Sequence, residues 1–307
     1  MSKEGKNKKE RPKTIVLYKN PMTKIGFFKR MGDDFVVSTT SRSVKIFNEK
    51  DNLIYIYGGN DYTMKEFHLQ RKLKKVVRDQ IALNQIVVPN LTEQDIRYKV
   101  YSDRVLGMGK EEIIEDAIEY DINKAYYQCA RNLGYLSEEM FLECLDLPKH
   151  KRLRFLGSIA TSKRKYTYTN GKLSEEGFEV IEDELLRAVW FHICKVVDDC
   201  LFEFSEALGD KFLLYYVDGI YMIEHKDSGE IETLNNISKS YGFEFSEAPV
   251  KSIRKVSKGV GNGEYQTLMI TKVTDEGFKE KPFYLSKNEI YKSENNDYQN
   301  VLNAQKN

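Results

Sequence analysis

Three features of the sequence predict an α+β fold, with an antiparallel sheet backed by one long helix and a smaller β-rich region ahead of it. β-branched and aromatic runs separated by turn formers fill residues 14 to 59. An apolar period of about 3.5 to 3.6 residues runs through residues 180 to 208. Directly after it, two apolar, aromatic-rich runs flank Asp218-Gly219. The chain has 307 residues, which at ~150 per domain suggests about two domains. A hydrophobic share of 41% beside 31% charged residues excludes a disordered or collagenous chain.

In chain order, the lysine-rich opening through Lys13 reads as a flexible basic tail. The runs TIVLY, DDFVVST, SVKIF and NLIYIYGG then suggest a small antiparallel sheet. Residues 63 to 83 read as a basic amphipathic helix, and with the sheet they make up an N-terminal region over 14–110. A second region is expected over 111–290. There AIEYDI ends an extended run, and Ala125, Tyr126, Cys129, Ala130 and Leu133 recur at helical spacing, with Gly134 placed to end the helix. Asp121 therefore stands where a strand gives way to a helix. Leu185, Leu186, Val189, Trp190, Ile193, Val196, Val197, Leu201, Phe204 and Leu208 carry the long helix up to Gly209. A type I′ turn at Asp218-Gly219 would then put one carboxylate at the tip of a buried hairpin. Residues 291–307 read as a loose polar tail.

Net charge is +1, so charge alone does not announce a partner. Its distribution is uneven. Residues 64 to 78 carry six basic and one acidic side chain, residues 149 to 165 seven basic and none acidic, and residues 175 to 184 six carboxylates. Segregation of this kind can create a positive face suited to phosphates. Cys129, Cys144, Cys194 and Cys200 form no metal-binding spacing and read as reduced packing thiols. The sequence contains no GxxxxGK[ST], HExxH or GxSxG motif, and GVGNG lacks the strand-to-helix context of a dinucleotide site. No run approaches the ~18 apolar residues a membrane helix needs, and the N-terminus lacks a signal peptide's apolar middle. A cytoplasmic protein with no membrane partner is expected.

The order of these segments resembles the palm of family B DNA polymerases. Asp121-Ile-Asn-Lys-Ala-Tyr126-Tyr127 is similar to that family's first palm motif, and Tyr216-Val217-Asp218-Gly219-Ile220-Tyr221 to its third, with Asp218 in the place of the second, catalytic Asp. The resemblance covers residues 115 to 225. It implies a palm-like fold with a fingers-like helical excursion over about 123–160, and a DNA-directed polymerase in which Asp121 and Asp218 are catalytic and hold two Mg²⁺ (or Mn²⁺) ions. It also implies that Tyr126 excludes a 2′-hydroxyl and that Arg152, Arg154 or Lys151 binds the triphosphate, with Lys149 as an alternative. Lys251, Arg254, Lys255 and Lys258 would then contact DNA. The implied partners are a primer-template, deoxynucleoside triphosphates and other replication or virion proteins, in a bacterial host cytoplasm if the chain is phage-encoded.

Departures from the pattern are specific. Tyr216 stands where the family has its first hairpin Asp, Tyr127 replaces a Pro, and Leu153 falls where a Lys belongs, although Gly157-Ser158 stands in for an Asn-Ser pair. Only 120 residues precede Asp121, which implies that no proofreading exonuclease domain is present. Two other functions fit the same residues: a catalytically degenerate, polymerase-like nucleic-acid-binding or structural protein, and a metal-dependent nuclease.

Overall fold

The structure, a computed structural model, describes residues 13–15, 21–40, 43–48, 50, 53–58, 64–109, 111–223, 228–260 and 263–285. The fold is α+β. Elements run in chain order as β1 (Lys13–Ile15), α1 (Pro21–Met31), β2 (Phe35–Thr39), β3 (Ser43–Asn48), β4 (Leu53–Gly58) and α2 (Met64–Leu83). They continue as β5 (Lys99–Tyr101), α3 (Asp103–Gly107), β6 (Ile113–Ile122), α4 (Ala125–Asn132), α5 (Glu138–Leu145) and α6 (Lys149–Gly157). Then come β7 (Lys163–Thr169), β8 (Lys172–Leu173), β9 (Glu179–Ile181), α7 (Glu184–Leu208), β10 (Phe212–Tyr216) and β11 (Gly219–Ile223). The last elements are α8 (Ser228–Ser240), β12 (Phe245–Val260), β13 (Gly263–Thr274) and β14 (Gly277–Leu285).

Two compact units form: residues 1–82 with 143–190, and residues 83–142 with 191–307. This departs from the linear boundary at residue 110. The chain leaves the first unit within α2 and returns to it within α5, so α6 belongs to the first unit and β7–β9 join its sheet. Both expected tails lie outside the described residues, apart from Lys13.

In the first unit the strands are ordered β1-β4-β3-β2-β7-β8, with β9 also on β7. Only the β1–β4 pairing is parallel. One face packs against α1, an element the β-run reading passed over: Ile25 and Phe28 close on Phe35, Val37, Ile46, Tyr55 and Tyr57. Phe35 stacks on Tyr168 at 4.3 Å.

The second unit holds the antiparallel sheet β14-β13-β12-β6-β11-β10-β5. Alternation along its strands separates two faces. Tyr215 and Phe245 project toward α7, where Tyr215 Oη donates to Asp198 at 2.8 Å and Phe245 meets Phe204 edge-on at 4.7 Å. α7 earns this position by its period: Ile193, Val197, Leu201, Phe204 and Leu208 are all buried, each contributing about 1.5–3 kcal/mol. On the other face, Tyr101, Leu214, Tyr221, Val250, Ile270 and Phe283 form a second core. Here the sheet curls until Tyr216 of β10 meets Phe283 of β14, edge to face at 5.0 Å. All four cysteines are buried and unpaired with one another. Burial holds their thiols above the ordinary range, which fits inert packing groups.

Candidate functional site

β6 delivers Asp121 to the end of the second unit's sheet. Asn123 N–H donates to Glu244 C=O at 2.8 Å, and Lys124, at φ +56°, turns the chain into α4. Gly134 ends that helix at φ +75°, a value costly for a side-chain-bearing residue, as the sequence suggested.

The hairpin between β10 and β11 brings Asp218 to the same end. Its turn differs from the expected one: Tyr216 pairs with Gly219, so the two loop residues are Val217 and Asp218, and Gly219 belongs to the strand. Val217 carries φ +64°, and Asp218 N–H donates to Tyr216 C=O at 2.9 Å, which makes a γ-turn centred on Val217. A β-branched residue in this conformation is strained. Outside contacts hold it there. Val217 N–H donates to Tyr98 C=O at 2.7 Å, and Tyr126 Oη donates to Val217 C=O at 3.4 Å.

Tyr98 is itself anchored. Buried Asp198 on α7 accepts from the backbone N–H groups of Arg97 and Tyr98, each at 3.2 Å, from Arg97 Nη1 at 2.8 Å and from Tyr215 Oη at 2.8 Å. One carboxylate thus fixes the segment that grips the hairpin tip.

Asp121 and Asp218, distant in sequence, become neighbours through β6–β11 pairing. Gly219 is registered opposite Asp121, and Ile122 N–H donates to Asp218 C=O at 2.9 Å. Gly219 keeps room for the acids: a Cβ there would lie 3.3 Å from Glu119 Oε1 and 3.4 Å from Asp121 Oδ1. Glu119, two residues before Asp121 and on the same face of β6, is an acid that motif reading missed. The period-2 rule would have found it. It is 4% exposed, takes a hydrogen bond from Tyr221 Oη at 2.5 Å and pairs with Lys272 Nζ.

The electrostatics bind these groups into one cluster. Burial, then the charges of Glu119, Asp121 and Asp218, raise the Tyr221 phenol above its ordinary value. Burial and the charge of Lys272 lower the Lys281 ammonium, while Glu119, Asp218 and Asp121 pull it back up. The curled face therefore sets three carboxylates on β6 and the β10–β11 hairpin against two lysines on β13 and β14. Neither lysine belonged to a motif.

Tyr126 reaches the hairpin tip from the side of α7, its phenol raised first by burial and then by Cys194, Asp218, Tyr98 and Asp198. The cations expected to bind the triphosphate fall in the other unit. Lys151 pairs with Glu66 at 2.7 Å, and Arg152 Nη1 donates to Leu145 C=O at 3.2 Å. Lys149 is exposed, and the side chain of Arg154 lies outside the described residues. Ser158 Oγ donates to Phe155 C=O at 2.6 Å. Of the cations expected on DNA, Lys251 sits 3.9 Å from the Phe278 ring centroid and Arg254 pairs with Glu280 at 2.7 Å. Lys255 Nζ donates to Leu106 and Met108 C=O at 2.9 and 3.2 Å, which closes the end of α3. The side chain of Lys258 lies outside the described residues.

Among the described residues, no group of three or more His, Cys, Asp or Glu side chains is arranged to hold a metal ion. Glu119 is engaged by Lys272 and Tyr221; Asp121 and Asp218 are the candidate ligands that the motifs name. An all-oxygen pair suits Mg²⁺, which commonly uses one or two carboxylates together with substrate phosphates and water. Among the described residues, no helix is long and apolar enough to cross a membrane. No protein-family profile matches the chain, and no curated protein matches it.

Proposed function

We propose that the protein is a template-directed, DNA polymerase-like nucleotidyltransferase of the family B palm kind, acting in a cytoplasm with two Mg²⁺ ions. The observation that carries this reading is the pairing of β6 with β11. It brings Asp121 and Asp218 together at one end of an antiparallel sheet whose opposite face rests on a long helix. Asp121 and Asp218 would hold the ions. Bound there, Mg²⁺ supplies charge neutralisation for the phosphates and a more acidic primer 3′-hydroxyl. Tyr126, under the tip, limits space beside the incoming sugar and so selects deoxynucleotides. Lys272 and Lys281 balance the negative charge of the nucleotide from across the curled face, a role the sequence suggested for α6.

One observation favours a second reading, a degenerate polymerase-like nucleic-acid-binding protein. Tyr216, at the family's first hairpin Asp, packs on Phe283 instead of offering a ligand.

The test is extension of a primed DNA template with deoxynucleotides and Mg²⁺. The wild type extends the primer, and Asp121→Asn and Asp218→Asn each abolish extension while keeping the wild-type melting temperature. Absence of extension by folded wild type that still binds the template supports the second reading. Shortening of the labelled strand without added nucleotide identifies a nuclease.

A further inference from the structure

The first unit carries a cluster of cations that the reading above does not use. On the sheet face opposite the α1 core, Lys45 of β3 and Lys165 of β7 flank Ser38 in one row, and Lys163, two residues from Lys165, projects to the same side. On α2, Leu69, Leu73 and Val77 are buried, and Arg71, Lys74 and Arg78 follow beside them at i, i+3 and i+7, one stripe of the helix. The two sets act on each other. Burial, then the like charges of Lys163 and Arg71, lower the Lys45 ammonium. Burial, then Lys163, lower that of Lys74, against which Asp183 works in the opposite sense. Asp183 is held by Arg78, and Lys165 by Glu179 at 3.0 Å. Lys45, Lys163, Arg71, Lys74 and Arg78 thus lie close enough to act on one another, with Asp183 paired to Arg78 beside them. Like charges held close in this way oppose folding, and an incoming polyanion relieves them.

We infer that this surface, formed by Lys45 and Lys163 on the sheet with Arg71, Lys74 and Arg78 on α2, binds the phosphate backbone of a nucleic-acid strand. A strand fits better than a lone phosphate because the charges form a line. The stripe from Arg71 to Arg78 spans about 10 Å at ~1.5 Å per residue, long enough to meet more than one phosphate of a strand. All five are Lys or Arg, the side chains that most often contact phosphate oxygens. The inference stands apart from the polymerase reading, because the surface lies wholly within the other unit.

The experiment uses the full chain, a fluorescein-labelled mixed-sequence 20-mer of single-stranded DNA, and fluorescence anisotropy in EDTA from 50 to 200 mM salt. The Lys45→Gln/Lys74→Gln/Lys163→Gln variant is expected to bind at least about tenfold more weakly at 50 mM salt. Its slope of log K against log salt should be shallower by about 2, at ~0.7 per phosphate contact. The matching triple Arg variant should restore both, which separates charge from folding. Asp121→Asn and Asp218→Asn should bind as wild type does, so failure of the catalytic reading leaves this result intact. Unchanged affinity and slope in the Gln variant, an Arg variant as weak as the Gln one, or no wild-type binding at 50 mM salt overturns the assignment.

Discussion

The two sheets handle charge in opposite ways. On the second unit's curled face, Lys272 pairs with Glu119, and Glu119, Asp218 and Asp121 together oppose the lowering of Lys281. On the first unit's outer face, Lys45 and Lys163 meet further cations from α2, and burial with a like charge holds Lys45 and Lys74 below their ordinary value, as it does Lys281, but here with Asp183 as the one carboxylate named against Lys74. A net charge of +1 conceals both arrangements. The first couples charge to folding within the chain. The second gathers like charges on one surface.

Substitutions can break or sharpen this contrast. The largest effect is expected from Lys272→Met, which strands the buried Glu119 carboxylate and should destabilise by about 3 kcal/mol in urea unfolding, whereas Glu119→Gln/Lys272→Met recovers most of the loss. Lys45→Gln on the other sheet should leave stability unchanged or raise it, and equal losses at the two lysines would erase the distinction. Next comes Gly219→Val. Its added carbons press on Glu119 and Asp121, costing about 1–3 kcal/mol in the same assay. Val217→Gly should relieve the γ-turn and change stability by about 1 kcal/mol or less, because glycine's entropy offsets the strain. If the tip conformation serves the reaction, primer extension falls while stability does not.

The smallest effect concerns pH. Burial lowers the His192 pKa, and its Nδ1 lies 2.7 Å from Tyr135 Oη. A folded-state pKa below the unfolded value means that folding favours the neutral ring. Stability is therefore full above the unfolded value of about 6.5 and declines as pH falls through that value toward the lower, folded one. The decline should be under about 1 kcal/mol, since the ring is partly solvated. His192→Gln should flatten the melting temperature between pH 7 and 5, and an unchanged profile would remove His192 as its source.

Much of this architecture was legible in the sequence because it depends on local period. α7 follows from apolar spacing, and β6 running into α4 follows from a strand-like run that gives way to helical recurrence. The hairpin was legible too, but its turn was not. Asp-Gly predicts a turn at Gly219, yet the chain bends one residue earlier because Tyr98 C=O captures Val217 N–H and the acids occupy the space a side chain on Gly219 would need. α1 escaped detection because its midpoint Gly26 weakens the helical signal and only Ile25 and Phe28 are buried. Lys272 and Lys281 were invisible for a different reason. They join the acids only once the sheet has curled, and no local pattern encodes that curvature. The split of the chain into units was equally hidden, since 143–190 return to a sheet begun a hundred residues earlier.

The edge-to-face meeting of Tyr216 and Phe283 spans the trough of the second sheet, from its sixth strand to its first. The two rings reach across it, one from the edge strand β14 and the other from β10, the neighbour of the opposite edge strand β5. Trimming Phe283 to a small aliphatic group would unfasten this clasp and widen the vessel, and because its ring also meets Tyr221 at 5.9 Å and Lys281 Nζ at 4.9 Å, the bore of the trough and the chemistry at its mouth are tied to one side chain.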